Sequence, residues 1–193
     1  MTYTVKHIAE IIQAVLCQAD DSLIKYLLTD SRKIVFPQTS LFFAISGPRR
    51  DGHSFIKEAY EQGVRNFVVK KGLAAIDFPD AVFLQVPDVL TALQQLAAYH
   101  RSRFRIPVIG ITGSNGKTIV KEWLFQLLQP DHIIVRSPRS YNSQIGVPLS
   151  IWQINAQHTL GIFEAGISRV NEMAVLAAII QPTKGVFTNL AEA

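Results

Sequence analysis

Short apolar runs alternate with longer amphipathic segments along the second half of the chain. The runs cover residues 107–109, 133–135, 160–163 and 185–188, and the segments between them place apolar residues at helical spacing. Strands that alternate with helices in this way form parallel sheets. We therefore predict the front half of a doubly wound parallel sheet after residue 106, with helices over about 118–129, 145–152 and 171–180.

The first of these helices has four large apolar residues close together. They are Trp123, Leu124, Leu127 and Leu128. A helix that packs on a sheet turns one apolar stripe toward it, so we predict that these four side chains form the buried face.

The first half of the chain has a less regular pattern of the same kind. Thr4 can cap a helix of about a dozen residues whose apolar positions continue through Leu16. Further strands are predicted over residues 24–28, 40–45, 66–70 and 82–86, and further helices over 54–62 and from 88 onward. Because Pro107 restarts the chain as a strand, we predict a small mixed α/β domain over residues 1–105 and a sheet domain over 106–193.

Composition and charge are those of an ordinary globular protein. Of the 193 residues 48% are hydrophobic, and the formal net charge of +4 favours anionic partners, whether nucleotides or nucleic acid. Arg101, Arg103 and Arg105 could form a nucleic-acid patch. Few aromatic residues accompany them, so we favour a solvated helix end.

Two features bear on the cellular compartment. The N-terminus lacks the basic and apolar segments of a secretion signal, and no apolar run is long enough to span a bilayer, so we expect a cytoplasmic protein. Cys17 is the only cysteine, which excludes an internal disulfide and a cysteine zinc cluster. Its apolar neighbours predict a buried structural thiol.

Residues 110–118 form a glycine-rich stretch between a predicted strand and a predicted helix, Gly-Ile-Thr-Gly-Ser-Asn-Gly-Lys-Thr. Such a loop directs backbone N–H groups and a helix N-terminus at phosphate oxygens, while Lys117 and Thr118 can bind phosphate and Mg²⁺. The pattern G-x-x-x-x-G-K-[ST] requires glycine where Ile111 stands. The alternative is a chance glycine turn, but strand, loop, Lys-Thr pair and helix agree, and we predict a nucleoside triphosphate site.

Polar residues follow the other predicted strands of this sheet. Asn142, Glu164 and Asn189 each come after a strand, and ligands gather at the carboxyl ends of parallel strands. Thr118 and Glu164 would supply the hard oxygen ligands that Mg²⁺ needs beside a triphosphate. Glu164 could instead be a carboxylate facing water, and the two asparagines could be turn or cap residues.

Several motifs in order resemble the Mur ligase family, from about Thr4 to the last residue. In the second half they are residues 110–118 followed by Lys121-Glu122, residues 141–149 and residues 164–166. In the first half they are residues 30–32, 41–44 with Gly47, and 51–56 followed by Ala59 and Gly63, which resemble the family's uridine-nucleotide-binding domain. Within the family the match is to the members that add D-alanyl-D-alanine to UDP-N-acetylmuramoyl-tripeptide.

The resemblance implies a reaction. ATP phosphorylates the terminal carboxylate of the UDP-linked peptide, and the amine of D-alanyl-D-alanine then displaces phosphate to form a peptide bond. The implied UDP-sugar contacts are Ser31, Arg32, Pro48, Arg49 and Arg50, and the implied triphosphate contacts are Gly113, Ser114, Asn115, Gly116, Lys117 and Thr118. The implied Mg²⁺ ligands are Thr118 and Glu164, the implied substrate contacts are Asn142, Ser143 and Ser168, and the implied catalytic residues are Lys117, Glu164 and Asn142.

The sequence departs from the family pattern in two places. Many relatives have two adjacent asparagines where this chain has Asn142 and Ser143. The family's histidine and carbamylated lysine, which complete a second metal site, are expected after Ala193, as is a dipeptide-binding domain. We therefore expect the 193-residue chain to be an N-terminal fragment that is catalytically incompetent by itself. We also expect a monomer, unless the protein is fused to a racemase domain, as some of these ligases are.

Other interpretations stay open. One is the Mur ligase that adds the preceding diamino acid, and another is a non-catalytic nucleotide-binding or regulatory module that binds ATP or GTP without uridine nucleotides. Folylpolyglutamate synthase shares the glycine loop but lacks the domain that contains residues 30–32. We expect His53 to have a structural hydrogen-bonding role rather than that of a base.

Overall fold

The computed structural model describes residues 2–16, 20–48, 50–72, 78–166 and 171–189. The chain divides into two compact units, Met1–Leu96 and Ala97–Ala193. The division falls inside a helix, Val89–Ser102, rather than after it as in the predicted division at residues 105 and 106. In the described ranges, every helix is too short or too polar to cross a lipid bilayer. Cys17 lies outside these ranges.

The first unit is a mixed sheet with short helices. Its strands are β1 (Tyr3–Thr4), β2 (Val15–Leu16), β3 (Leu23–Ile24), β4 (Tyr26–Leu28), β5 (Ser40–Phe43), β6 (Asn66–Lys70) and β7 (Val82–Val86). Its helices are α1 (Val5–Ile11), α2 (Ile56–Glu61) and the first part of α3 (Val89–Ser102). The main sheet has the order β2-β7-β6-β5-β4, in which β4 to β7 are parallel and β2 is antiparallel to β7.

Aromatic and branched residues of the parallel strands form the core of this unit. Phe42, Phe67 and Phe83 stand on three neighbouring strands, and the rings of Phe67 and Phe83 stack at 5.3 Å. Ile56 and Ala59 of α2 pack against the same cluster. Burial of these large side chains contributes to the unit's hydrophobic stabilisation.

The predicted first helix is capped as expected but is shorter than expected. Thr4 Oγ1 accepts a hydrogen bond from the backbone N–H of His7 at 3.2 Å. The prediction that Val15 and Leu16 belong to this helix was wrong, because both lie in β2 and pair with Gln85 and Leu84 of β7. A strand partner distant in sequence overrides the local helical spacing.

The second unit has a four-stranded parallel sheet with helices on both faces. Its strands are β8 (Val108–Thr112), β9 (Ile134–Arg136), β10 (Leu160–Glu164) and β11 (Lys184–Phe187), in the order β11-β8-β10-β9. Its helices are α4 (Lys117–Leu128), α5 (Gly146–Ile151) and α6 (Glu172–Ile180). The predicted α/β fold class, with a doubly wound parallel sheet after the mixed domain, is confirmed.

The two faces of this sheet bury different clusters. On one face Ile111 and Ile162 pack with Leu124 and Leu128 of α4. On the other, the strands pack against α5 and α6, and the buried residues of that cluster include Val135, Val147, Ile151, Phe163, Leu176 and Ile179. Helix α4 follows β8 on one face and α6 follows β10 on the other, so the neighbouring ends of β8 and β10 form a switch point where ligands bind in such folds.

The buried face of α4 differs from the predicted one. Leu124 and Leu128 do pack on the sheet, but the prediction was wrong for Trp123 and Leu127, which are 62% and 72% exposed. The residue of α4 that is fully buried is Lys121. Helix α4 therefore turns the side that contains Lys121 toward the sheet and the side that contains Trp123 and Leu127 toward solvent.

Candidate functional site

The glycine loop between β8 and α4 owes its shape to two glycines in the left-handed region. Gly113 has φ +136° and Gly116, which precedes the first residue of α4, has φ +82°. Side chains disfavour these angles, and a Cβ at Gly113 would also lie 2.8 Å from the carbonyl oxygen of Asn189. Ile111 is fully buried within β8, so the turn begins only at Gly113 and the glycine expected at position 111 has no role here.

Lys117 folds back over the loop it follows. Its Nζ donates to the carbonyl oxygen of Gly113 at 2.5 Å and lies 3.4 Å from that of Ser114. The ammonium therefore stands where the loop and the N-terminus of α4 meet, and both attract anions at that point.

Residues after β11 brace the same loop. The N–H of Ser114 donates to the carbonyl oxygen of Asn189 at 2.8 Å, and Thr188 Oγ1 donates to the carbonyl oxygen of Asn115. The loop is thereby tied to the neighbouring strand end. Asn189 contributes its backbone carbonyl oxygen to this brace.

Glu164 stands beside Thr118 at the end of the adjacent strand. Thr118 Oγ1 donates to Glu164 Oε2 at 3.1 Å, and the Glu164 side chain is completely buried. Its second oxygen, Oε1, lies 2.8 Å from Nζ of Lys121. The interpretation of Glu164 as a strand-end carboxylate facing water is excluded by this burial.

The Thr118–Glu164 pair suits a magnesium ion. Hydroxyl and carboxylate oxygens are the ligands Mg²⁺ prefers, and Thr118 and Glu164 present one of each at the end of the glycine loop. No group of three His, Cys, Asp or Glu side chains in those ranges could hold a metal unaided. A magnesium ion here would need phosphate oxygens or water as its other ligands.

Asn142 contacts Gly166, which follows Glu164 by two residues. The backbone carbonyl oxygen of Asn142 accepts a hydrogen bond from the N–H of Gly166 at 2.8 Å. A Cβ at Gly166 would lie 2.9 Å from the side chain of Asn142. Ser143 Oγ accepts from the N–H of Gly146 at 3.1 Å and so caps the start of α5. Ser168 lies outside the described residues.

In the first unit, residues 30–33 form a tight turn after β4. Asp30 accepts hydrogen bonds from the side chain and the backbone N–H of Arg32, and these bonds hold the pKa of Asp30 at about 2 despite the opposing effect of burial. The same pairing raises the pKa of Arg32. Buried Ser31 donates to Glu58 Oε2 at 3.1 Å. The Arg32 side chain remains largely exposed and able to bind an anion.

The loop after β5 carries Pro48 and Arg50, both exposed, while Arg49 lies outside the described residues. It is closed by a hydrogen bond from the N–H of Gly47 to the carbonyl oxygen of Arg50 at 2.8 Å. Gly52 anchors it, because a Cβ there would lie 2.5 Å from the backbone nitrogen of Ile45. Since β4 and β5 are parallel neighbours, their two following loops share one edge of the sheet.

His53 fastens this loop to the sheet. Its Nε2 accepts a hydrogen bond from the N–H of Lys70 at 3.1 Å, so in the neutral ring the proton is on Nδ1, which lies 2.7 Å from Asp51 Oδ1. Asp51 also accepts from the Ser46 hydroxyl and the His53 N–H, and these bonds lower its pKa to about 2. These contacts agree with the structural role predicted for His53.

The predicted arginine cluster has a different role at its first member. Arg101 is buried and donates to the carbonyl oxygens of Phe104, Ile106, Ile180 and Gln181. The prediction of a solvated helix end was therefore wrong for Arg101, whose pKa is lowered by its burial. Arg103 and Arg105 are exposed.

Two residues of the site were missed as site residues. Lys121 contacts Glu164, and Ser137 Oγ accepts from the N–H of Glu164 at 3.1 Å. Lys121 stands one turn after Lys117, and with Leu124 and Leu128 it lies on one helical face. That spacing was available in the sequence, whereas the position of Ser137 depends on the strand order.

Two family models match the chain. The one described as the Mur ligase family, catalytic domain, matches residues 23–101, and the one described as the Mur ligase middle domain matches residues 111–193.

Curated relatives match nearly the whole chain. A UDP-N-acetylmuramoyl-tripeptide–D-alanyl-D-alanine ligase from Bacillus subtilis is 35% identical over 191 residues, which are 98% of this chain and 41% of the relative. A ligase of the same name from Synechocystis is 37% identical over 175 residues, 91% of this chain and 38% of the relative. The chain thus spans about two fifths of the length of the curated relatives it matches.

Solved structures agree with these matches. A UDP-N-acetylmuramoylalanyl-D-glutamyl-2,6-diaminopimelate–D-alanyl-D-alanyl ligase from Acinetobacter baumannii superposes with a TM-score of 0.90 at 28% identity, over 100% of this chain and 43% of that one. The MurF ligase from Thermotoga maritima, in complex with ADP, superposes with a TM-score of 0.74 at 29% identity, over 86% of this chain and 37% of that one. With both halves matched to its domains, the chain belongs to the Mur ligase family.

Proposed function

We propose that this protein acts in peptidoglycan precursor synthesis as a ligase that uses ATP to join D-alanyl-D-alanine to UDP-N-acetylmuramoyl-tripeptide. The observation that supports it most directly is the contact of Thr118 with buried Glu164 at the end of the glycine loop. The names of the relatives supply the substrates. We also propose that the protein acts in the cytoplasm, where such nucleotide-dependent chemistry takes place.

The proposed site residues divide between the two units. Lys117 and the N–H groups of residues 113–118 bind the triphosphate, and Thr118 and Glu164 hold Mg²⁺, which supplies charge neutralisation when bound. Asn142 and Ser143, with Ser168, face the peptide substrate. Ser31, Arg32 and the loop of residues 48–50 bind the UDP-sugar.

The chemistry proceeds by two displacements. An oxygen of the substrate's terminal carboxylate attacks the γ-phosphorus of ATP, the bond to the bridging oxygen breaks, and ADP leaves. The amine of D-alanyl-D-alanine attacks the resulting acyl phosphate, loses a proton, and expels inorganic phosphate. Lys117 is placed to compensate the charge that develops on the phosphoryl oxygens, which is the main demand of phosphoryl transfer.

Calorimetric titration with ADP plus Mg²⁺ and with UDP-N-acetylmuramoyl-tripeptide tests the proposal. Lys117→Ala should weaken ADP binding about tenfold or more and leave the UDP ligand unaffected, because one charge-assisted contact contributes about 1.5–3 kcal/mol. Arg32→Ala should weaken binding of the UDP ligand and leave ADP binding unaffected. Lys57→Ala and Arg103→Ala, at exposed positions, are the matched controls. ADP binding without any uridine-nucleotide binding would favour the regulatory module instead.

For these 193 residues alone we propose ligand binding without ligation. The ligases they resemble are much longer, since the chain spans 41% of the B. subtilis relative. Phosphate release with ATP, Mg²⁺ and both substrates is the measurement. Turnover of about 1 s⁻¹ or more, ordinary for an enzyme, would contradict this part of the proposal.

A further inference from the structure

Lys121 is a fully buried cation of the second unit to which the proposed chemistry gives no role. Its side chain is completely buried, as is that of Glu164, and the two charged groups lie 2.8 Å apart. Burying both charges carries a desolvation penalty that can exceed the attraction between them. Apolar residues of the same volume would stabilise such a position as well or better, so stability alone gives no reason for a lysine here.

The Lys121 ammonium also contacts the segment that follows β9. Nζ donates to the carbonyl oxygen of Ser137 at 2.9 Å and to that of Arg139, and Glu122 Oε1 lies 3.3 Å away. Ser137 in turn accepts from the N–H of Glu164. Lys121 therefore connects α4 to the end of β10 and to the segment that leads from β9 to Asn142.

The orientation of Glu164 follows from this arrangement. Lys121 holds Oε1 from one side, while Thr118 donates to Oε2 from the other. A carboxylate held at both oxygens has one rotamer, which presents Oε2 at the end of the glycine loop. Residues that orient a metal ligand in this way strongly influence metal affinity.

We propose that Lys121 is a positioning residue of the phosphate site: it fixes the Glu164 carboxylate beside Thr118, where that carboxylate would hold a divalent cation that accompanies a nucleotide. This inference rests on the proposed function for its ligand. It assigns Lys121 no contact with substrate, so its effect should appear in the metal-dependent part of nucleotide binding and not in binding through the loop itself.

The test is calorimetric titration of ADP into the whole 193-residue chain, in Mg²⁺ and in EDTA. The ratio of the two affinities measures how much the metal contributes. Lys121→Met should lower that ratio about tenfold or more, while the affinity in EDTA stays within about threefold of the unmodified chain, because the glycine loop and Lys117 are unchanged. A merely structural lysine would change both affinities together or neither.

Two further variants make the outcome decisive. Glu122→Gln alters the more exposed neighbour of the same ammonium and should leave the ratio unchanged. If Lys121→Met does not fold, Lys121→Arg decides, because it keeps the charge but a planar guanidinium cannot reproduce the contacts of a point-like ammonium. A selective fall in the ratio supports the proposal, and an unchanged ratio overturns it. Failure of the unmodified chain to bind ADP in either buffer would instead contradict the proposed function.

Discussion

His100 is a histidine kept neutral by its surroundings. It is almost completely buried, its Nε2 lies 2.9 Å from the carbonyl oxygen of Ile154, and burial lowers its pKa to about 4, against the opposing effect of that hydrogen bond. In an unfolded chain the same imidazole has a pKa near 6.5. Between about pH 6.5 and pH 4, His100 is therefore mostly protonated in the unfolded chain and mostly neutral in the folded chain.

The sign of the resulting pH dependence follows directly. The free energy of unfolding carries no penalty from His100 above about pH 6.5. It falls as the pH drops from there toward 4, by up to about 1.4 kcal/mol per pH unit. We expect the free energy of unfolding to fall by about 2 kcal/mol between pH 7 and pH 5 on account of His100. His100→Gln should have a clearly smaller fall.

Urea unfolding followed by Trp152 fluorescence measures this difference, since the two rings lie 4.7 Å apart. A Trp123→Phe background leaves Trp152 as the single tryptophan. Asp30 and Asp51, with pKa values of about 2, titrate in a lower range. Equal pH dependence in both proteins would show that His100 does not contribute.

Helix α4 shows how an element's orientation is decided by what it packs on. Of the four apolar residues predicted to face the sheet, Leu124 and Leu128 do so, whereas Trp123 and Leu127 are largely exposed. The observed stripe contains Lys117, Lys121, Leu124 and Leu128, because the glycine loop fixes where the helix starts and Glu164 fixes which residue meets the strand end. A buried ion pair thus replaces apolar area that periodicity alone would have assigned to the core.

Truncation of single side chains on α4 distinguishes the two stripes. Trp123→Ala should change the free energy of unfolding by less than about 0.5 kcal/mol, since this side chain is largely exposed. Leu124→Ala should cost about 2 kcal/mol, because it removes part of the cluster around Ile111 and Ile162. Urea titrations followed by circular dichroism compare them, and a larger cost at Trp123 would contradict the observed orientation.

At the scale of the whole molecule, much of the architecture was predictable. Strands β6 and β7 have the predicted bounds, because short, mainly apolar runs that are followed by turn residues are typical of buried strands. The end of β10 was placed to within one residue, whereas β8 extends three residues past the predicted end at 109, to Thr112. The features that were not predictable depend on distant partners: β2 needs β7, Arg101 needs the carbonyl oxygens after α6, and Lys121 needs Glu164.

The candidate site was predictable to a similar depth. The approach of Thr118 to Glu164 follows from the parallel order of the strands, which places β8 beside β10. Which hydrogen bonds the individual side chains form was not predictable. Ser143 is an example, since the hydrogen bond that its hydroxyl oxygen accepts from the N–H of Gly146 depends on where α5 begins.

Hydrogen exchange should map the two ligands to different compact units. ADP with Mg²⁺ should slow exchange in peptides that cover residues 110–118, because a ligand stabilises the segment that binds it. UDP-N-acetylmuramoyl-tripeptide should slow exchange around residues 30–33 and 46–53. Mass spectrometry with each ligand at saturation measures both, with peptides of β9 as an internal reference. Protection of the first unit by ADP alone would contradict the assignment.

The backbone contact at Gly52 has a consequence for how the loop after β5 tolerates mutation. A Cβ at position 52 would meet backbone atoms of residues 44 and 45 at 2.5–2.6 Å, whereas one at Gly47 would meet only the Arg50 carbonyl oxygen, at 3.7 Å. In a library that randomises both codons and is selected for folded protein, position 47 should return several small residues and position 52 only glycine. The tip of the loop can therefore diversify, and with it the choice of ligand, while its attachment to the sheet cannot.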